Sequence, residues 1–423
     1  MRIEIKSSDT AKLISSWLSL IIGNVTSKII IFATLPIISR IYDPVAIGKL
    51  SVFVSAGEVI SSCVALSLPL AIPQEKNDKK SFALLKASKN LSYFFSLITS
   101  AILLTYFIII KKDINIEKLV WIIFLPIYIT LSSLINIYTN HAIRQKETKL
   151  IPKTNIAAAI ASSFTKISIS IVSANFFSLI AATLTSQIIQ IVIFLTQTKK
   201  KFHKEVTITE QYRELRRKKN FIIYTTPQQL LNIISFSLPL FFLSFTASHE
   251  QSGYYAMAMN TLIIPINIIS TATFQIYYSH LISQKTSPEK QTRDTKKITA
   301  ILFLSAIPIS FIFSLLSPEI YVIIFGNQWI ESGHYASNII IWLLFIIVNK
   351  PMIALLITTQ RQKHIFIYEI MATILKFAAL AICFQLKIEP LYTLEIYSEL
   401  SAFCYVALII WGALATRKDA HEK

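Results

Sequence analysis

The 423-residue chain is 53% hydrophobic and only 15% charged, with a mean hydropathy of +0.57 and a formal net charge of +18. A soluble protein carries about 25% charged residues. Here the apolar residues are gathered into long runs, so the composition excludes a soluble globular chain and points to an all-α polytopic membrane protein. Because the basic residues fall in the short connections between those runs, the charge reads as a topology signal and not as a nucleic-acid footprint.

Windows of about 19 residues predict about twelve transmembrane helices, in chain order over residues 13–38, 46–70, 90–110, 119–142, 154–173, 177–197, 221–245, 254–279, 298–316, 335–359, 364–386 and 391–415. Only the short SANFFS at 173–178 separates the fifth from the sixth, yet 154–197 is too long for one span and fits a helical hairpin. Between the sixth and seventh lies the strongly basic TKKKFHKEVTITEQYRELRRKKN, which reads as a solvated cytoplasmic connector touching anionic lipid.

With the N-terminus inside, 31 basic residues fall on the cytoplasmic side and five (Arg40, Lys111, Lys112, Lys118, Lys387) on the outer side. This asymmetry places both termini in the cytoplasm. Trp17 and Trp411 then fall near the inner interface and Trp121, Trp329 and Trp342 near the outer one, as aromatic belts require. Cys63, Cys383 and Cys404 lie singly in spans, which predicts neither a disulfide nor a metal site.

An internal repeat divides the chain. TLPIISRIYDPVAIGKLSVFVSA at 34–56 corresponds to SLPLFFLSFTASHEQSGYYAMAM at 237–259, pairing Pro36 and Gly48 with Pro239 and Gly253. Arg-Gln-Lys recurs at 144–146 and 361–363, each just cytoplasmic of the fourth helix of its half. Two six-helix halves of the same orientation follow, related by an axis along the membrane normal. The expected organisation is an N-terminal lobe over 1–200, a basic linker over 201–219 and a C-terminal lobe over 220–423, surrounding a central cavity.

Polar residues inside the spans identify what that cavity holds. Lys28 shares a face with Asn24 and Ser27; Ser51, Ser55, Glu58 and Ser62 form one stripe, and Ser162, Lys166, Ser170 and Ser173 another. Later spans add Gln228, Gln229, Asn232, Asn260 and Asn267, then Asn349 and Lys350 ahead of a kinking Pro351, then Glu369, Thr373 and Lys376, then Glu395 and Glu399. The Lys28, Lys166 and Lys376 head groups lie about 15 Å or more from both nominal helix ends, beyond the reach of snorkelling. They line a wet cavity or form buried ion pairs. Their surplus over central carboxylates favours a cationic cavity, with Lys28, Lys166, Lys350 and Lys376 as partners for an anionic head group such as a diphosphate. Asn24, Gln228, Asn232, Asn260 and Asn267 supply neutral lining, and Glu58 or Glu399 carries a coupling ion. No GxxxxGK[ST] loop, catalytic triad or metal-ligand spacing is present, so a transporter without cofactor is expected, and not an enzyme.

RIYDPVAIGKLSVFVSAGEVISS, NFIIYTTPQQLLNIISFSLPLFFLSF, SGYYAMAMNTLIIPINIISTATFQIYYSHL and SPEIYVIIFGNQWIESGHYA together resemble the polysaccharide-exporting flippases of the multidrug/oligosaccharidyl-lipid/polysaccharide (MOP) superfamily, and among them the O-antigen flippases (Wzx type). The resemblance implies two pseudo-symmetric lobes as in multidrug exporters of the MATE class, alternating access, and residence in the bacterial inner membrane. It implies an undecaprenyl-diphosphate-linked sugar repeat unit as substrate, carried from the cytoplasmic to the periplasmic leaflet, with a polysaccharide polymerase and chain-length regulator as partners. The related lipid II flippase uses arginines on its first, second and eighth helices for the diphosphate. Here the first helix offers Lys28, the second only Lys49 and the eighth no internal cation, which argues against lipid II as substrate. The alternatives are a cation-coupled drug exporter of the same superfamily and a membrane polysaccharide polymerase.

Overall fold

The computed structural model describes residues 7–110, 116–197, 206–283, 288–359 and 361–421. Side chains of 7–22, 24, 110, 116, 283, 288–289, 362 and 415–421 are not described, so the expectations for Trp17 and Asn24 lie outside the described residues, as does 201–205 of the connector.

Among the described residues the chain is helical, with no strand. In order the helices are α1 (Ser7–Ile41), α2 (Pro44–Val64), α3 (Asp78–Thr105), α4 (Ile116–Arg144), α5 (Leu150–Ser170), α6 (Phe176–Gln197), α7 (Ile208–Arg217), α8 (Thr226–Thr246), α9 (His249–Ser283), α10 (Pro288–Phe325), α11 (Ile330–Val348), α12 (Lys350–Thr358), α13 (Gln362–Gln385) and α14 (Pro390–His421). Among the described residues, ten helical stretches are long and apolar enough to cross a bilayer, which makes this a multi-pass membrane protein. Each expected span finds its helix. α5, which carries Lys153 and Lys166 among serines and threonines, falls short of the apolar criterion, and too little of α1 has described side chains to meet it.

Local chemistry sets the ends. Asn77 caps α3, its Oδ1 accepting from Lys79 N at 2.9 Å and Lys80 N at 3.3 Å, and Asn175 caps α6 in the same manner. The expected hairpin therefore turns over 171–175. Pro351 ends the run of α11, and the tenth expected span divides at Asn349 into α11 and α12.

The chain forms two compact units, one comprising Met1–Thr34 and Phe53–Ile233, the other Leu35–Val52 and Ile234–Lys423. In the first, a core of Leu68, Ile72, Leu84, Ile137, Tyr138, Leu150 and Phe194 joins α3, α4, α5 and α6. Pro126 inside α4 has no N–H to give the Ile122 carbonyl, and Ser100 of α3 donates to that carbonyl at 3.4 Å. In the second, Met352, Leu355, Leu356, Tyr368, Cys404 and Leu408 form the centre of a core built on α9, α12, α13 and α14.

Thr207 and Glu210 form a capping box that starts α7, so the second half of the basic connector is a helix packed on α3. One reading is corrected. Trp329 and Trp342 are not belt residues at an interface but buried inside the second unit, where the indole of each finds aromatic neighbours.

Candidate functional site

In the first unit, α1 and α5 run side by side at constant register. Gly23 lies so close to Pro152 that a Cβ would overlap its ring, and eleven residues further along both helices Thr34 Oγ1 and Ser163 Oγ share a 3.0 Å hydrogen bond. Lys28 and Lys166 are both half-exposed on this pair. At a shared register they stand about 14 Å apart along the helix axis. The lysines are thus brought to one helix pair but to different depths.

Glu58, on α2, is exposed, and its Oε1 accepts from Tyr128 Oη at 2.6 Å and from Ser132 Oγ at 3.2 Å, both on α4. Gln187 of α6 donates to Ser132 Oγ at 2.8 Å. Gly57 makes this approach possible, because a Cβ there would collide with the Tyr128 ring. Both hydrogen bonds end on the same carboxylate oxygen. Gln228 and Asn232 are exposed one turn apart on the first turns of α8, while Gln229 turns inward and accepts from Ser67 Oγ at 2.9 Å.

In the second unit Lys376 is buried, its ammonium 6.0 Å from the ring centre of Trp342 and 5.8 Å from those of Tyr397 and Tyr405. Such an aromatic enclosure holds a cation through the negative ring faces where water is scarce. Tyr397 is oriented by a 2.6 Å bond from its hydroxyl to the Ser235 carbonyl, the one that Pro239 in α8 leaves without a donor. Glu369 lies within electrostatic range of both Lys350 and Lys376. Lys350 is half-exposed at the start of α12, beside the buried Asn349. Asn260 is exposed and Asn267 half-exposed on α9, and Glu399 is exposed on α14. The structure therefore gathers Lys350 and Lys376 around Glu369 and sets Lys28 and Lys166 on another pair of helices.

The FGNQW stretch has a structural task in the second unit. Trp329 Nε1 and Gln328 Nε2 both donate to the Ser39 carbonyl, at 2.7 and 2.5 Å, and Ser39 Oγ donates to the Phe325 carbonyl at 3.2 Å. Gly326, at φ 106°, makes the turn that lets them reach. The glycines of the internal repeat meet beside this corner: a Cβ on Gly48 would strike the His249 carbonyl, and one on Gly253 the Pro44 carbonyl. The contact is reciprocal, each glycine facing the residue four positions before the other.

Tyr128, Ser132 and Gln187, and the rings around Lys376, escape sequence reasoning because each sits on a different helix from the charge it serves. The available hint was only that a tyrosine hydroxyl within a span needs a partner.

The fold belongs to a known class of membrane proteins. The lipid II flippase MurJ in an inward closed conformation superimposes with a TM-score of 0.68 at 14% identity, covering 94% of this chain and 87% of that one. An inward-facing multidrug resistance MATE transporter of the MOP superfamily gives 0.64 at 13%, covering 94% and 96%. A MOP superfamily transporter from Pyrococcus furiosus, whose binding pocket is described as reversed in polarity, gives 0.63 at 14%, covering 95% of each. At such identities the likeness is one of fold. Residues 37–334 match the family described as polysaccharide biosynthesis protein, and the chain belongs to that family. No curated protein sequence matches it significantly.

Proposed function

We propose that the protein flips undecaprenyl-diphosphate-linked sugar repeat units, of O-antigen or a related polysaccharide, from the cytoplasmic to the periplasmic leaflet of the bacterial inner membrane. The observation that carries this reading is the set of four lysines within spans of a polysaccharide biosynthesis family member, three of them at least partly exposed. Moving a diphosphate and its sugars through hydrocarbon is prohibitive, because charges and hydroxyls lose water without replacement. Lysines supply point charges for the phosphates, and Asn24, Gln228, Asn232, Asn260 and Asn267 supply hydrogen bonds for the sugars. The axial offset of Lys28 and Lys166 means that the head group meets them in succession. Alternating access between two units needs no covalent chemistry. The exposed Glu58, steadied through one oxygen, serves as the coupling-ion site, with Glu399 second. Both termini are cytoplasmic, and a polymerase and chain-length regulator receive the product.

The test is the leaflet distribution of the lipid-linked unit after deletion of the gene. Accumulation on the cytoplasmic face, with surface polysaccharide lost and restored by the wild type, is the expected result. Normal appearance of the unit on the periplasmic face would overturn it. Drug efflux restored by the gene would then assign it to export of small molecules, and loss of long chains with single units retained would assign it to polymerisation.

A further inference from the structure

α7 has one face committed and one free. The committed face is held to α3 and the turn before it by ion pairs from Lys79 to Glu210 and from Glu75 to Arg217, and by a 2.9 Å hydrogen bond from Asn90 Nδ2 to Gln211 Oε1. Glu214 is buried and pairs with Arg217 at 2.7 Å. Both acidic residues of α7 are therefore paired, Glu210 with Lys79 of α3 and Glu214 with Arg217 of α7 itself. What remains outward is Ile208 (81% exposed) and Tyr212 (66%), one turn apart, with exposed Arg213 and Arg216, followed by exposed Lys219. That face carries cations and apolar side chains, and no carboxylate.

Its position along the chain limits what can cover it. α3 continues from the docking residues into an apolar stretch, and Arg217 is followed after three residues by Phe221, where the stretch leading into α8 begins. Four extended steps reach at most about 14 Å, so the end of α7 stays within that distance of the next span. A short helix at this level with a basic and apolar outer face matches the headgroup region of a bilayer: arginine and lysine meet lipid phosphates, and Ile208 and Tyr212 enter the boundary between headgroups and acyl chains.

We infer that the outer face of α7 is a docking site for anionic phospholipid in the cytoplasmic leaflet. Each basic residue adds about five-fold to the preference for anionic over neutral lipid. Lipid charge thereby steadies the α3–α7 junction and the entry into α8, which no contact within α7 itself requires. This does not depend on what the protein transports.

The experiment places an environment-sensitive fluorophore on Tyr212→Cys in the full-length protein, reconstituted into vesicles of phosphatidylcholine alone or mixed with phosphatidylglycerol. Expected are a blue-shifted emission in the anionic vesicles that reverts at high salt, where the Debye length contracts to about 3 Å, and loss of the shift on combining Arg213→Gln, Arg216→Gln and Lys219→Gln. These side chains are exposed, so the triple variant keeps the α3 contacts, and unchanged amide exchange over α7 checks this. Identical emission in both vesicle types would overturn the inference. So would a label that stays in water in both but is covered on adding soluble cytosolic protein.

Discussion

The Trp329 indole nitrogen donates a 2.7 Å hydrogen bond to the backbone carbonyl of Ser39, 290 residues earlier in the chain. The carbonyl also accepts from Gln328, and both Ser39 and Trp329 are fully buried. Replacing the ring and replacing only its N–H therefore have different consequences. Trp329→Phe is expected to cost about 1 kcal/mol, the net worth of one hydrogen bond, and Trp329→Ala about 3–5 kcal/mol, because a cavity is added. Thermal unfolding of the detergent-solubilised protein reads both; a Trp329→Phe variant as stable as the wild type would mean that the hydrogen bond is not made.

Gly48→Ala and Gly253→Ala each place a methyl group against backbone carbonyls that cannot move aside. Gly412→Ala meets the flexible end of Met352 instead. The first two are expected to lower the yield of folded protein severely and the third to be tolerated. Size-exclusion profiles of the three variants decide it, and a well-folded Gly253→Ala would refute the close crossing of α2 and α9.

Pro239 and Tyr397 form a testable pair. Tyr397→Phe strips the donor from the Ser235 carbonyl and is expected to cost about 1 kcal/mol. In a Pro239→Ala background the new backbone N–H reaches the same carbonyl, so the loss should shrink. A double-mutant cycle on thermal stability measures the coupling; strict additivity would show that the proline does not free that carbonyl.

Transport separates the two groups of charged residues. Lys28→Ala and Lys166→Ala are each expected to reduce surface polysaccharide at matched protein levels, while Lys28→Arg retains more than Lys28→Ala. Glu58→Gln is expected to abolish ion-coupled export, and Tyr128→Phe to weaken it, because Ser132 alone then holds Oε1. Full export by Lys28→Ala would remove that residue from the site.

Acid should loosen α7. The Lys79 ammonium and the Thr207 backbone hold the Glu210 carboxyl below its ordinary value. A carboxyl lowered by docking contributes stability that is fully present above its undocked value, near 4.3, and is lost as the pH falls through the lower docked value. Amide exchange over 208–217, corrected for intrinsic rates, should therefore quicken below about pH 4, and Glu210→Gln should flatten that dependence. Exchange that is unchanged on acidification in the wild type would exclude the ion pair as a docking element.

The sequence by itself determined the helical class, the places of the spans, the SANFFS hairpin and a kink at Pro351. These follow from how long a run stays apolar and where a proline or a capping side chain falls, which are properties of neighbours along the chain. It also announced the repeat, since Gly48 and Gly253 occupy matching positions. That these two glycines touch one another, that Glu58 is held by Tyr128, and that Lys376 sits among three rings were decided only by the tertiary structure. In each case the partner lies on another helix, and helical periodicity states which face a residue occupies but not which face of which helix lies opposite. The connector shows the limit most directly: its net charge gave no sign of a docked helix, which Glu75, Lys79 and Asn90 of a distant stretch hold against α3. Charge along a chain predicts solvation only when no complementary charge is brought to it, and bringing it there is what tertiary structure does.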